Sequence, residues 1–417
     1  MSSLIDLAQT IAVEAKRLAD YIEENNLPNP SFAADGPAFL PIPSDNQQLK
    51  ASQGRLHAAA QDITALQFHD NASLHIIIRF KIADAIPNTP DGATFDAVAT
   101  TTGLPTSLIA RLIRHASLYY VFHEPRPGVA AHTRASLALR TGEGVRDRLD
   151  MVFEELGPAS LRAAHALSAF PGSEEPNETG FGLAFGGQSL YQYLSERPER
   201  ARVFGGAMAT HQETAGRINK IDSLIEGFNW KGLGQATVVD VGGSHGQVSI
   251  AIAKVAPELR FVVQDLPTTV EQGRKMLDPA LAHKISFMAY DMNDVQPVAA
   301  DVYLFRHVFP NWPRKYCVKF LKNLVPVMKP GARVILNQGC LSKCDTLPRW
   351  ENKFIRCTDM CMLSKFNSSE RTEEEWKEIF RLADPRFKFC GVRDNARDDV
   401  FFVYEAVWEE NGSEMPN

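Results

Sequence analysis

The pattern of apolar and polar residues changes twice along the chain and predicts three segments. Residues 1–150 carry apolar residues at helical spacing, interrupted by one stretch that predicts a hairpin. Residues 151–235 are again amphipathic, and we interpret them as a helical bridge that covers the mouth of a binding site. In residues 236–417, short β-branched runs alternate with helical stretches, which is typical of a doubly wound parallel sheet.

The first segment contains a helix, a turn and a second helix. Residues 74–86 show helical periodicity, and "TFDAVATTTGLPTSLIARLIRHASLYY" predicts two helices separated by a turn at Gly103-Leu104-Pro105. The stretch "VFHEPRPGVAAHT" predicts a hairpin, because proline and glycine mark its turn. These elements predict a winged helix within an otherwise all-α segment.

A winged helix raises the hypothesis of DNA binding, and the charge pattern argues against it. The second helix carries Arg111, Arg114 and His115 among many apolar residues, which is a low density of cations for phosphate contacts. The whole chain has a net charge of −6, so it has no electrostatic reason to bind nucleic acid or a membrane surface. We therefore expect this segment to serve dimerisation or to act as a substrate lid.

Composition narrows the cellular setting. The chain has 417 residues and is 44% hydrophobic, which is ample for two or three cores. Its first residues lack the basic start and apolar core of a signal peptide, and no apolar run reaches the roughly 18 residues that a membrane span needs. The six cysteines do not form a disulfide framework, and core positions explain them better than a metal does. We expect a cytoplasmic protein without a metal site.

The third segment predicts a Rossmann-like doubly wound sheet with an antiparallel edge hairpin. Five apolar runs predict its parallel strands, namely "ATVVDVGG", "RFVVQDL", "ISFMAYD", "ADVYLFRHV" and "ARVILNQG". Helices are predicted at 245–256, 267–276 and 313–328. The runs "FKFCGVRD" and "VFFVYEAVWEE" predict the hairpin at one edge.

The first predicted strand leads into a glycine-rich loop and then a helix. Asp240 is followed by Gly242, Gly243 and Gly246, and glycines let a backbone approach a ligand closely. The helix N-terminus favours a carboxylate or a phosphate. The spacing is not the G-x-G-x-x-G of dinucleotide enzymes, and a tight turn without a ligand is the alternative.

Acidic residues also stand at the next two predicted strand ends. Asp265 ends the second strand, where an acid typically binds ribose hydroxyls. Asp291 follows the third strand, and its carboxylate is placed to accept from an adenine amino group, with the Met292 thioether against the ring. Because parallel strands end at one edge of a sheet, the sequence predicts an adenosine-shaped groove there.

These motifs together resemble the fungal relatives of plant caffeate-type O-methyltransferases, which bind S-adenosyl-L-methionine. The resemblance covers most of the chain and includes "AAHTRAS", "VVDVGGSHG", "QDLP", "YDM", "MKPGARVIL" and "SERTEEEW". It implies a small-molecule substrate and a homodimer with intertwined N-terminal segments. It also implies cofactor contacts from Asp240, Gly242, Gly243, Gly246, Asp265, Leu266, Asp291, Met292 and Arg306.

One triplet departs from that family. The family has His-Asp-Trp or His-Asn-Trp, whose histidine is the general base, where this chain has Pro310-Asn311-Trp312. Gln338 stands where the family commonly has an acid that orients the histidine, whereas Glu370 matches the family's second acid. Methyl transfer is weakened but not excluded, because a general base contributes about 10²–10⁴-fold. His307 replaces the base only if the strand bends, because positions 307 and 310 of a straight strand face opposite sides.

Two other polar residues suggest a different reaction. His132 follows the wing at a family position that faces the substrate, with a core or helix-capping histidine as the equal alternative. Arg306 ends the fourth strand, with a salt bridge to the cofactor carboxylate as its alternative. His132 and Arg306 resemble the donor pair of the S-adenosylmethionine-dependent pericyclases of fungal 2-pyridone pathways, which keep the cofactor without transferring its methyl. The predicted catalytic residues are thus His132, Arg306, His307 and Glu370.

The sequence favours a pericyclase that dehydrates an alcohol to a quinone methide and then steers a hetero-Diels–Alder or Alder-ene closure. Ring closure needs a folded conformer and donors aimed at a carbonyl, and it needs no base. The alternative is an O-methyltransferase acting on a phenolic or polyketide hydroxyl. A non-catalytic binding protein is the third hypothesis.

Overall fold

The chain packs as two compact units. Unit 1 consists of Met1–Gly157, Leu194–Thr214 and Pro348–Glu351, and unit 2 of Pro158–Tyr193, Ala215–Leu347 and Asn352–Asn417. The computed structural model describes residues 4–28, 46–64, 68–142, 144–214, 221–341, 349–393 and 401–410. Within those ranges, no helix combines the length and the apolar character needed to cross a membrane.

The described residues are largely helical. The α-helices are α1 (Leu4–Glu24), α2 (Gln47–Thr64), α3 (Phe68–Arg79), α4 (Phe95–Thr102), α5 (Thr106–Ser117), α6 (Arg134–Leu137), α7 (Gly144–Met151), α8 (Gly157–Ala169), α9 (Gly180–Ala184), α10 (Leu190–Ser195), α11 (Pro198–Thr214), α12 (Ile221–Gly227), α13 (Gln247–Val255), α14 (Pro267–Met276), α15 (Arg314–Leu324), α16 (Arg349–Phe366) and α17 (Glu373–Ala383). Short 3₁₀ turns and one π-helical turn, Val152–Leu156, connect some of them.

The strands fall into two sheets. They are β1 (Ala93–Thr94), β2 (Phe122–Arg126), β3 (Val129–His132), β4 (Thr237–Val241), β5 (Arg260–Asp265), β6 (Ile285–Ala289), β7 (Val302–Arg306), β8 (Arg333–Gly339), β9 (Phe387–Arg393) and β10 (Phe401–Trp408). In the described residues, β1, β3 and β2 form a small antiparallel sheet, and the other seven form the order β6-β5-β4-β7-β8-β10-β9.

Unit 1 contains the predicted winged helix. The Thr94 hydroxyl accepts a hydrogen bond from the Ala97 N–H at 3.2 Å and caps α4, and Gly103 ends α4 at a φ of +73°. Helix α5 buries Ile109, Leu112, Ile113 and Ala116 on one face, which is the helical spacing that the sequence showed. The hairpin of β2 and β3 then forms the wing.

One predicted helix was wrong in extent. The sequence predicted a helix over residues 74–86, whereas α3 ends at Arg79 and a separate 3₁₀ turn spans Ile82–Ala85. Lys81, between them, adopts left-handed backbone angles with a φ of +52°, which an α-helix does not accommodate. The apolar spacing continued across the break because Ile82 and Ile86 are buried in the same core.

Unit 2 contains the predicted doubly wound sheet. Strands β6, β5, β4, β7 and β8 are parallel, and β10 pairs antiparallel with both β8 and β9. The predicted edge hairpin is confirmed, and helices α13, α14 and α15 lie within the ranges expected for them. The chain order reverses between β4 and β7, which places a ligand crevice at the carboxyl ends of these strands.

Strand side chains alternate between two cores in unit 2. Tyr303 and Leu336 pack on one face with residues of α15 and α17. Leu304 and Ile335 pack on the other face with residues of α12 and α13. Both faces of the parallel strands are therefore buried, and the carboxyl edge is the place left for polar chemistry.

A buried pair of amides joins the end of β5 to the loop that follows β6. Gln264 and Gln296 are both about fully buried, and each donates to the other, at 2.8 and 2.9 Å. The Gln296 N–H donates to the Asn323 carbonyl, and the Asn323 amide donates to the Met292 carbonyl. The pair therefore fixes the loop that carries Asp291 and Met292.

We predict that Gln296→Leu lowers the free energy of unfolding by about 1–3 kcal/mol, because it leaves the buried Gln264 amide without its partner. The double variant Gln264→Leu/Gln296→Leu should lose less than the sum of the single variants, because neither amide is then stranded. Urea denaturation measures both. Gln272→Leu, at an exposed position, is the control, and additive losses in the double variant would contradict the prediction.

Candidate active site

The loop between β4 and α13 folds back over Asp240. A Cβ on Gly243 would lie 2.7 Å from the Asp240 Cγ, and one on Gly242 would lie 2.8 Å from a Val308 methyl. Gly242 also has a φ of +73°, which glycine adopts without strain. The backbone at Gly242 and Gly243 therefore packs closely against Asp240 and Val308, and its approach to a ligand stays a prediction.

Asp240 is buried at the end of β4 and accepts a hydrogen bond from the Ser249 hydroxyl at 2.7 Å. Burial raises the pKa of this carboxyl to about 6, against the hydrogen bond from Ser249 and the positive charge of Arg306, which lower it. A ligand that brings a cationic amino group to this point would stabilise the ionised carboxylate.

Asp265 connects β5 to the glycine loop. Its carboxylate accepts hydrogen bonds from the Ser244 N–H at 3.0 Å and from the Leu266 N–H at 2.8 Å. The N–H groups of Gly242 and Gly243 donate to the Gln264 carbonyl at 2.8 and 3.1 Å. The loop and the strand end therefore form one hydrogen-bonded rim around the crevice.

The third predicted acid lies next to the second. The Tyr290 N–H donates to the Asp265 carbonyl at 3.0 Å, which places Asp291 immediately beyond that contact. Asp291 is exposed, Leu266 is 54% exposed, and Met292 is half-buried. The structure thus brings the three acids to consecutive strand ends, with an apolar side chain beside two of them, which suits an adenosine.

Arg306 and His307 end β7 in different environments. The Arg306 guanidinium donates through Nε to the Asn337 Oδ1 at 3.0 Å. His307 has a φ of +56°, so the bend required for it to replace a base is present. Its ring packs edge-on against Phe401, with centroids 4.3 Å apart.

That bend directs the imidazole away from the Gln338 face of the sheet. Phe401 shares its face with Val403, which packs with α12 and α13. Gln338 shares its face with Leu336, which packs on the α15 side. A catalytic role for His307 remains a prediction that its side-chain position does not support.

Pro310 lies in a buried 3₁₀ turn, Phe309–Asn311, that side chains hold from both ends. The Arg371 guanidinium donates to the Phe309 carbonyl at 3.2 Å and to the Trp312 carbonyl at 2.7 Å. The Ser368 hydroxyl donates to the Trp312 carbonyl at 2.6 Å. The position of the missing base is therefore a fixed turn without an ionisable side chain.

Gln338 and Glu370 are buried beside this turn with unsatisfied polar atoms. Gln338 is 0% exposed, and neither its amide nitrogen nor its amide oxygen has a hydrogen-bond partner among the described residues. Glu370 is 6% exposed, and its Oε2 likewise has no partner in the described ranges. A buried polar group left without a partner costs about 1–3 kcal/mol, so these atoms are able to gain from a hydrogen bond to a ligand.

Burial changes the acidity of Glu370. It raises the pKa of this carboxyl to about 7, with a further rise from the nearby Asp359, while the positive charge of Arg371 lowers it. The Glu370 N–H donates to the Asp359 Oδ1 at 2.8 Å, which fixes the backbone at this point. The carboxyl therefore changes charge near neutral pH.

An aromatic layer that the sequence did not predict lies at the same edge. The Tyr191 ring stacks on Trp312 and Phe366, with centroids 6.0 and 5.6 Å apart. The Asn311 amide donates to the Tyr191 hydroxyl at 2.9 Å. The sequence showed the triplet at 310–312, but its residue spacing did not predict a contact with Tyr191, which lies more than a hundred residues earlier in the chain.

His132 belongs to unit 1, and the contacts that hold it are in unit 1. Its Nδ1 lies 2.9 Å from the Ser136 hydroxyl and its Nε2 lies 2.9 Å from the Ile86 carbonyl. Burial lowers the pKa of this imidazole, which favours the neutral ring. These contacts support the alternative of a core histidine, and its role toward a substrate stays a prediction.

No three histidine, cysteine, aspartate or glutamate side chains are grouped to hold a metal ion in the described part of the chain. Comparison with known families matches residues 169–384 to an O-methyltransferase domain. The chain belongs to the O-methyltransferase family.

Two curated fungal members of the O-methyltransferase family match almost the whole chain. O-methyltransferase AMT9 of Alternaria alternata is 33% identical over 98% of this chain and 98% of its own. Chlorophenol O-methyltransferase of Trichoderma longibrachiatum is 33% identical over 98% of this chain and 91% of its own. The resemblance derived from the motifs is thus confirmed at the level of the family.

A solved structure agrees with the fold. The crystal structure of OxaC in complex with SAH and oxaline covers 97% of this chain and 99% of its own, with a TM-score of 0.75 and 21% identity. Membership of the O-methyltransferase family gives S-adenosyl-L-methionine as the cofactor. The strand-end acids and the glycine loop fit that group.

We predict that Asp265→Asn weakens binding of S-adenosylhomocysteine about 10–100-fold, because an amide replaces a charged acceptor at the ribose position. Isothermal titration calorimetry on the purified protein measures this. Asp222→Asn, which changes an exposed carboxylate of the same unit, should bind like the wild type. Equal affinities for the wild type and Asp265→Asn would contradict the assignment.

Proposed function

We propose that this protein is an S-adenosyl-L-methionine-dependent O-methyltransferase that acts on an acidic, phenolic hydroxyl of a small secondary metabolite. The observation that carries the proposal is the complete set of strand-end acids, Asp240, Asp265 and Asp291, beside an acceptor site with Pro310 in place of a histidine. Its fungal relatives over nearly the full length are named O-methyltransferases.

Different residues of the crevice would bind different parts of the cofactor. Asp265, Leu266, Asp291 and Met292 are placed to hold an adenosine, and Asp240 with the glycine loop is placed to hold the amino-acid end. When bound, the cofactor supplies an electrophilic methyl group on a positively charged sulfur. Asp240 is the strand-end acid that is buried, so charge interactions with its carboxylate are stronger than at an exposed site.

Because the family's imidazole base is missing, we infer that the acceptor hydroxyl is itself acidic. A phenol has a pKa near about 10, and an alkyl alcohol is far less acidic, so loss of a base selects against the alcohol. Electron-withdrawing groups such as chlorine lower the pKa of a phenol further. The name of the Trichoderma relative, which specifies a chlorophenol, supports this class of acceptor.

A second candidate function is the pericyclase reaction without methyl transfer. The observation that favours it is the pair of departures at Pro310 and Gln338, which remove the family's base and put an amide donor in place of its orienting acid. An amide and a neutral carboxyl both donate hydrogen bonds to a carbonyl. Arg306 and His132 are the further donors in this reading.

Product analysis separates the two. We expect incubation with S-adenosyl-L-methionine and a panel of substituted phenols to give methyl ethers and S-adenosylhomocysteine in equal amounts, detected by liquid chromatography with mass spectrometry. The rate should increase as the phenol becomes more acidic. A cyclised polyketide–pyridone product without S-adenosylhomocysteine would instead establish the pericyclase.

We also propose that the protein is a cytoplasmic homodimer. Three consecutive residues of unit 1, Leu118, Tyr119 and Tyr120, are 72%, 39% and 53% exposed, which is unusual for a run of large apolar side chains.

Leu118→Glu should weaken self-association at least about tenfold, because it introduces a charge into an apolar contact. Light scattering across a dilution series measures the mass. Leu382→Glu, at an exposed leucine of unit 2, is the control, and unchanged self-association of Leu118→Glu would rule out this surface.

A further inference from the structure

Two buried side chains at the end of β8, Gln338 and Glu370, have polar atoms without a hydrogen-bond partner among the described residues. Gln338 is the last but one residue of the strand, and Glu370 lies against Gly339, the residue that ends it. A Cβ at position 339 would be 2.9 Å from the Glu370 Oε2, so the missing side chain of Gly339 makes room for the carboxyl. Amide and carboxyl thus converge on one point of the sheet edge.

That point borders the turn that contains Pro310. Arg371, the next residue after Glu370, donates to the carbonyls of Phe309 and Trp312 on either side of the proline. The Leu341 N–H donates to the Arg371 carbonyl at 3.0 Å, which ties the same segment to the end of β8. Among the described residues at these contacts, Glu370 is the ionisable side chain that has a buried polar atom without a hydrogen-bond partner.

The electrostatic surroundings keep Glu370 able to take up a proton near neutral pH. The ionisable groups that interact with it are Arg371 in its own segment, Asp359 in α16, Cys340 after β8 and Tyr404 in β10. Burial outweighs the attraction of Arg371 and brings the pKa of the carboxyl to about 7, near that of an imidazole. A group with this pKa is suited to general-base catalysis.

We propose that Glu370 itself accepts the proton of the acceptor hydroxyl, and that the Gln338 amide orients that hydroxyl. The proposal rests on the proposed methyltransferase function. In the step, the hydroxyl O–H bond breaks and its proton moves to the Glu370 Oε2. The acceptor oxygen uses its lone pair to form the bond to the methyl carbon, the carbon–sulfur bond breaks, and its electrons return to sulfur. Glu370 later gives the proton to water.

The test compares the wild type with Glu370→Gln, using S-adenosyl-L-methionine and phenols of graded acidity between pH 5 and 9. For weakly acidic phenols, kcat/KM of the wild type should rise with pH through about 7 and then level, because the carboxyl must be ionised to act. Glu370→Gln should lose about 10²–10⁴-fold with these phenols and lose the rise at pH 7. With phenols that are already ionised it should lose less than about fivefold.

Three further variants sharpen the comparison. Glu370→Asp keeps a carboxyl and should recover part of the rate with weakly acidic phenols. Gln338→Leu should raise KM for the phenol about tenfold while leaving the pH profile in place, since it affects orientation. Glu374→Gln, an exposed glutamate at the start of α17, should match the wild type.

A measurement without catalysis checks the titrating group. The folded wild type should hold a proton on Glu370 that an unfolded glutamate has lost, so its free energy of unfolding should fall between about pH 4.5 and about pH 7. Glu370→Gln should show a smaller fall over that window in urea denaturation, since it removes this proton uptake.

The outcomes are distinguishable. Equal losses of Glu370→Gln with all phenols would mean a purely structural role and would overturn the proposal, as would wild-type kinetics in that variant. Absence of methyl transfer by the wild type with every phenol would overturn the proposed function, and the role of Glu370 with it.

Discussion

Parallel pairing of β6, β5, β4, β7 and β8 is the constraint on which the site depends. Both faces of these strands are covered by helices, so polar side chains are tolerated mainly where the strands end. The reversal of strand order between β4 and β7 separates the connecting loops and opens a crevice at that edge. Because all five strands run in the same direction, the three strand-end acids and the residues around Pro310 lie along one edge of the sheet.

The strand ends could be predicted from sequence because each signal is local. A β-branched run that stops at Asp240, Asp265 or Asp291 locates both the strand and the polar group that follows it. The same holds for the winged helix, where Thr94 and Gly103 mark the limits of α4. A local pattern needs no knowledge of which strand lies next to which.

Other features could not be predicted from the sequence, because they depend on contacts between positions that are distant along the chain. Tyr191 meets Trp312 and Asn311 only after the chain has folded, and the Gln264–Gln296 pair joins strand β5 to the loop after β6. The helix expected to continue to residue 86 failed for a different reason. Apolar spacing reports burial, and a left-handed residue at Lys81 breaks the helix without changing which side chains are buried.

A buried carboxyl near a fixed turn has consequences for substrate choice. A hydrogen bond at one nitrogen of an imidazole orients the ring and leaves the other nitrogen to accept a proton. A carboxylate accepts a proton at either oxygen, and its orientation depends mainly on the residues around it. Here those surroundings are Gly339, the Asp359 hydrogen bond to the Glu370 backbone and the Arg371 contacts around Pro310. A residue larger than glycine at position 339 would displace the Glu370 carboxyl, and mutation of Glu370 would remove it. Under the proposed function, specificity for an acidic acceptor would therefore depend on the backbone around the site as well as on Glu370.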